Sequence, residues 1–212
     1  NDFMKNLISR AKSNQNSVTN YFNLSEKNKL IEKLKLSNNK LMILDYDGTL
    51  VNFSDKPELA IPNHNLIKIL DSLSNVDGMD IAIVSGRNKQ FLDDNLGKLN
   101  ISIIAEHGHF YKKSNKKWIN LGNIDKVFLN DIYAIFQSFS DRTPGTFTER
   151  KESGLVWHYR KTDPELASER VVEIETVLNS LLTDQFQILN LDKAIEVTSR
   201  KFDKGSAINE LT

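Results

Sequence analysis

Hydrophobic and polar positions follow two regimes along this chain. Three short apolar runs, Leu41–Asp47 (LMILDYD), Asp80–Gly86 (DIAIVSG) and Ser102–Gly108 (SIIAEHG), each end in polar residues and glycine. Helix-like stretches over 64–75 and 88–98 separate them. Strand, helix, strand, helix, strand with near-continuous apolar strands predicts a parallel sheet covered on both faces by crossover helices. After Gly108 the period changes. Phe110–Leu121 reads as a hairpin around Lys112–Lys117, and Asp125–Phe139 carries Phe128, Ile132, Ile135, Phe136 and Phe139 at helical spacing. Thr146–Lys151 and Gly154–Arg160 alternate as a second hairpin. Thr162-Asp163-Pro164-Glu165 opens another helix, with Ala167, Val171, Ile174, Leu178 and Leu181 on one stripe. Short strands follow near 186–190 and 194–198, and Lys204–Leu211 returns to a helical reading.

These elements predict an α/β protein: a Rossmann-like parallel-sheet core, 39–122 plus 199–212, into which an α+β cap, 123–198, is inserted. Residues 1–38 are polar with scattered apolar positions and read as one or two amphipathic helices leading into it. The 212 residues suit this size.

Lys plus Arg and Asp plus Glu both number 28, so the chain carries no broad field to capture nucleic acid or an anionic membrane. The absence of cysteine excludes disulfides, zinc–thiolate sites and thiol catalysis, and accords with a cytoplasmic location. The apolar runs are far too short to span a bilayer, and no basic-then-apolar N-terminus marks a signal peptide.

Asp45-Tyr46-Asp47-Gly48-Thr49-Leu50 closes the first predicted strand. Ligands of open α/β sheets sit at the carboxyl ends of strands, and acids two apart on a strand point to one side. Such crowding of like charge does nothing for stability, but a divalent cation relieves it. One carboxylate can then attack phosphorus, while the other protonates the leaving alkoxide and later activates water. The competing reading is a strand end with an ordinary Asp-Gly turn. Ser85-Gly86-Arg87 closes the second strand, where a hydroxyl and exposed N–H groups leading into a helix make a phosphate cradle.

The run L-D-Y-D-G-T-L resembles the first motif of the haloacid-dehalogenase superfamily of phosphatases. That resemblance implies Asp45 as nucleophile and metal ligand. It implies Asp47 as general acid/base, offering its backbone carbonyl to Mg²⁺. Ser85 and Gly86 resemble the second motif and Lys204-Gly205 the third, implying that Ser85, Gly86 and Lys204 hold the phosphoryl group. Glu149-Arg150-Lys151, Trp157-His158-Tyr159-Arg160 and Asp163-Pro164-Glu165 are similar to the cap of trehalose-6-phosphate phosphatases, as are Ala105-Glu106-His107-Gly108 and Asp192–Val197. The family then implies a sugar-phosphate substrate contacted by Arg87, Glu149, Lys151, Arg160 and Glu196. Strand alternation agrees, since Leu155, Trp157 and Tyr159 share one face and Val156, His158 and Arg160 the other. A solvated sheet face with cross-strand ion pairs is the bland alternative. His107 and His109 have metal-like spacing but no third ligand nearby, which favours a loop role. The lysines between 112 and 117 read as a solvated hairpin tip.

Residues 1–14 resemble the C-terminal helix of a trehalose-6-phosphate synthase, implying one piece of a fused synthase–phosphatase. The family carries a fourth, acidic motif on a further strand. Its implied sheet order of 5-4-1-2-3 puts Leu41–Asp47 at an edge here, with the Mg²⁺ site incomplete and the isolated chain inactive. Phosphatases for other sugar phosphates, and a silent domain that regulates a fused synthase, are the alternatives.

Overall fold

The structure is a computed structural model that describes residues 23–54 and 56–209. The chain divides after Lys40 into two units. In the first, helix α1 (Leu24–Leu36) begins at a reciprocal cap, in which Asn23 accepts from the Glu26 amide and the Glu26 carboxylate accepts from that of Asn23. The expected match over residues 1–14 lies outside the described residues.

The core strands are β1 (Lys40–Asp45), β2 (Met79–Val84), β3 (Ser102–Ala105), β4 (Phe110–Lys112) and β5 (Ile119–Asn120), hydrogen-bonded in that order. Strands β2 and β3 pair in parallel, and β3–β4–β5 is antiparallel, which confirms the hairpin read from the pattern. Helices α2 (His64–Ser74) and α3 (Lys89–Leu96) connect the first three strands. Asn63 and Asn88 cap them through their side chains. Leu70, Leu92 and Leu96 pack with Ile81, Ile83, Ile101 and Ile103. Among the described residues β1 has β2 as its one neighbour, the edge position expected of it. Leu41 and Ile43 accordingly remain 40% and 41% exposed, whereas β2 buries every residue from Ile81 to Val84.

The first strand ends earlier than its apolar run suggests. Tyr46 turns inward, fully buried, and donates its hydroxyl to the Ala60 carbonyl at 2.8 Å. Asp47 therefore stands on the following loop, bridged to Val51, and does not share a strand face with Asp45. Gly48 makes this bend possible: its φ is +76°, and a Cβ there would meet the Phe53 ring at 2.9 Å.

A second sheet has the order β6 (Phe147–Arg150), β7 (Gly154–His158), β9 (Ala194–Ser199) and β8 (Phe186–Leu191), antiparallel throughout. Helices α4 (Lys126–Asp141) and α5 (Pro164–Leu181) cover one face. Asp163 caps α5 through the Glu165 and Leu166 amides, with Pro164 at the first helical position. Leu155, Trp157, Ile195 and Val197 point into this layer with Ile132, Phe136, Ile174 and Leu178. The opposite face is left for Glu149, Val156, His158 and Glu196. Helix α6 (Lys204–Asn209) follows, and the rest of the helical run to Leu211 lies outside the described residues.

Candidate active site

A cavity of about 610 Å³ is lined by residues of both sheets, and every residue expected at the site borders it. From the core come Asp45, Asp47, Ser85, Gly86, Arg87 and Lys204; from the second sheet and its loops come Glu149, Lys151, Arg160 and Glu196. Asp45 ends β1, and its Oδ1 accepts a hydrogen bond from Lys204 Nζ, at the start of α6. Ser85 is buried at the end of β2, where its Oγ accepts from the Arg87 amide at 3.0 Å. Its hydroxyl hydrogen is still available for an anion.

Arg87 behaves differently from the expected substrate contact. Its Nε lies 2.9 Å from Asp47 Oδ2, Nη2 bonds Asp47 Oδ1, and Nη1 donates to the Pro57 carbonyl. All three guanidinium nitrogens thus hold Asp47 and the loop beneath it. Arg160 is held likewise by the carboxylate and carbonyl of Asp192, at 2.8 and 3.0 Å.

The two glutamates of the second sheet are each braced by a histidine. His158 Nε2 lies 2.8 Å from Glu149 Oε2, and His107 Nε2 lies 3.1 Å from Glu196 Oε2. Lys151 Nζ bonds Glu196 Oε1 at 2.7 Å and the Gly86 carbonyl at 2.9 Å. Burial alone would raise both glutamate pKa values. For Glu196 the Lys151 charge and the His107 hydrogen bond outweigh it, holding the carboxyl down at about 2. For Glu149 the His158 hydrogen bond and Lys151 hold it below the usual range. Both are thus acceptors at neutral pH, suited to sugar hydroxyls.

Asp45 keeps a partly exposed carboxylate, and Asp47 lines the same cavity. Hard oxygen donors of this kind fit Mg²⁺, which takes one or two carboxylates and completes its octahedron with water and phosphate oxygens. Among the described residues no three His, Cys, Asp or Glu side chains come close enough to cage a metal by themselves. The Asp47 carboxylate is occupied by Arg87, which leaves its backbone carbonyl as the candidate donor.

The sequence model of the family described as Trehalose-phosphatase matches residues 43–212. The chain belongs to that family. It is 36% identical over 214 residues to a bifunctional trehalose-6-phosphate synthase/phosphatase of Thermoproteus tenax, covering 99% of this chain and 29% of that protein. It is 37% identical over 217 residues to a trehalose-phosphatase of Saccharomyces cerevisiae, covering 100% of this chain and 24% of that one. The chain thus spans under a third of the length of these curated relatives. Among solved structures, the C-terminal domain of C. albicans trehalose-6-phosphate phosphatase superposes with a TM-score of 0.82 at 34% identity, covering 87% of this chain and 65% of that one.

Two features of this family member are not evident from motif reading. The loop role given to His107 understates it, since the ring borders the cavity and holds Glu196. Glu106, just before it, is 2% exposed and accepts the Ser153 amide and hydroxyl at 2.8 and 2.7 Å, tying the β6–β7 turn to the core. Both residues have positive φ, 49° and 56°. Each such non-glycine residue costs on the order of 1–3 kcal/mol. The run A-E-H-G was the only sequence signal. His109, by contrast, is structural: it is buried between the Phe110 and Phe202 rings, and burial pushes its pKa down to about 4.

Proposed function

We propose that this chain supplies the phosphatase activity of a protein that hydrolyses trehalose 6-phosphate to trehalose and phosphate in trehalose biosynthesis. The carrying observation is that one cavity brings the Asp45–Lys204 pair and the Ser85–Gly86 cradle together with Glu149, Lys151 and Glu196 of a second sheet. In this reading residues 39–122 and 199–212 are the catalytic core and 123–198 an inserted cap.

An Asp45 carboxylate oxygen attacks phosphorus, and the bond from phosphorus to the sugar oxygen breaks. The departing alkoxide takes a proton from Asp47, which enters this step protonated, with one carboxyl oxygen turned from Arg87 to the leaving group. Asp47 then takes a proton from water as the water oxygen attacks the aspartyl-phosphate, breaking its P–O bond and releasing phosphate and free Asp45. Lys204, Ser85 and the Gly86 backbone hold the phosphoryl oxygens. Arg87 orients Asp47 and the Pro57 loop. Mg²⁺, with Asp45 and the Asp47 carbonyl among its donors, would supply charge neutralisation at the phosphoryl group. Glu149, Lys151, Arg160 and Glu196 orient the disaccharide.

The names of the relatives support a synthase fused to this phosphatase in the same polypeptide. The lack of cysteine accords with action in the cytoplasm. Phosphate release from a panel of sugar phosphates with Mg²⁺ tests the reading: the highest kcat/KM is expected for trehalose 6-phosphate, and a clear preference for another sugar phosphate overturns it.

A further inference from the structure

The turn from Glu106 to Gly108 is left-handed at three successive residues, with φ of 49°, 56° and 110°. Strain of this kind persists only where the surroundings hold it, and here they are identifiable. The Glu106 amide donates to the Arg87 carbonyl at 3.0 Å and the His107 amide to the Ser85 carbonyl at 3.1 Å, so both ends of the phosphate cradle grip the turn. Gly108 packs on α6, where a Cβ would meet the Asp203 carbonyl oxygen at 2.6 Å. The His107 ring lies over Gly86, whose Cβ, if present, would fall 2.5 Å from His107 Nε2. That same nitrogen reaches across to Glu196 of the other sheet.

We propose that His107 is a positioning residue that fixes the span between the phosphate cradle and Glu196, so that the site discriminates sugar phosphates from simple phosphate esters. This rests on the reading of the cavity given under Proposed function. Glu196 is 1% exposed, and its two oxygens are used once each, by Lys151 and by His107. A carboxylate offers about four acceptor positions, so roughly two remain for hydroxyls, and the two bonds in place decide where they point. An ionised carboxylate only accepts, so His107 Nε2 carries the hydrogen. Lys151 repeats the connection by joining Glu196 to the Gly86 carbonyl. The recognition groups for sugar and for phosphate are therefore registered against each other through Gly86 and His107.

Two substitutions separate the side chain from the strained backbone. His107→Gly removes the ring and relieves the left-handed strain; His107→Gln keeps an N–H near the Nε2 position and keeps the strain. In the full-length protein with Mg²⁺, His107→Gly is expected to raise KM for trehalose 6-phosphate about 10-fold or more relative to its effect on p-nitrophenyl phosphate, with an unchanged or higher Tm, and His107→Gln to recover most of the difference. Equal changes on the two substrates, or no KM change in His107→Gly, overturn the proposal. Amide hydrogen exchange without any sugar tests the connection apart from the substrate assignment. Faster exchange over 151–155 and 195–197 is expected in His107→Gly and not in His107→Gln, and unchanged exchange in His107→Gly overturns it even if trehalose 6-phosphate is the substrate. A wild-type preference for a different sugar phosphate, with exchange altered as expected, discards the substrate reading and leaves the role of His107 standing.

Discussion

Arg87 clasps the carboxylate of Asp47 with two nitrogens while its third holds the Pro57 carbonyl. A planar fork of fixed geometry suits this three-way contact, and a lysine cannot reproduce it. The Asp47 contact counteracts the effect of burial on the guanidinium, whose pKa is raised. Arg87→Lys should therefore release Asp47 and the 57–59 turn together. We expect kcat to fall by about 10²-fold, the scale of a misplaced catalytic group, with far-UV circular dichroism unchanged. Steady-state kinetics on trehalose 6-phosphate checks this, and a kcat within about 3-fold of wild type would show that the clasp is dispensable.

Asp45 is the proposed nucleophile, and an amide in its place cannot form an acyl phosphate. Asp45→Asn should keep the fold and lose turnover by roughly 10⁴-fold or more. Rapid-quench detection of acid-stable phosphate on the protein should find it in wild type and not in the variant. Phosphorylated protein in Asp45→Asn would assign the nucleophile elsewhere.

Glu149 and Glu196 differ in what their loss exposes. Removing Glu196 leaves Lys151, 7% exposed at its side chain, without its carboxylate partner, and breaking a buried pair costs about 3–5 kcal/mol. Glu149→Ala is therefore the cleaner test of sugar recognition, with Glu196→Gln as the milder change at the second position. Both should depress kcat/KM for trehalose 6-phosphate by about 10- to 100-fold more than for p-nitrophenyl phosphate. Parallel losses on the two esters would make these residues structural.

His109 predicts how stability changes with acid. Its pKa is depressed from 6.5 to about 4 by burial, so the unfolded chain binds the proton first. Its contribution is complete above about pH 6.5 and is lost as pH falls towards 4, worth about 3 kcal/mol across that window. Glu196, held at about 2 against an ordinary value of 4.5, adds a second loss as pH falls from 4.5 towards 2. His109→Phe should flatten the upper window and leave the lower one. Urea unfolding from pH 7 to pH 4 measures it, and a variant with the wild-type slope between pH 6.5 and 4 refutes the assignment.

Much of this protein is legible in its sequence. Period-2 alternation in 154–160 separated Leu155 and Trp157 from Val156 and His158, because strand side chains must take opposite faces whatever the fold. Apolar runs closing on Asp45-Tyr46-Asp47 and on Ser85-Gly86 marked where two core strands give way to the loops on which parallel sheets place their ligands. Thr162-Asp163-Pro164-Glu165 announced a helix start, and Asp163 there takes up the free amides of the first turn.

What the chain did not disclose lies in contacts between residues distant in sequence. Asp47 and Arg87 are 40 residues apart, and His107 and Glu196 are 89 apart. A guanidinium or an imidazole has the same local pattern whether it meets solvent, substrate or a carboxylate. The end of β1 at Asp45 was likewise decided by Tyr46 finding Ala60 across the core, which no periodicity encodes. Sequence thus determined which residue types stand at strand ends and on which strand face, since backbone geometry acts locally. Tertiary packing decided which partners those side chains meet, because only the folded sheets bring Gly86, His107 and Glu196 within one hydrogen-bonded span.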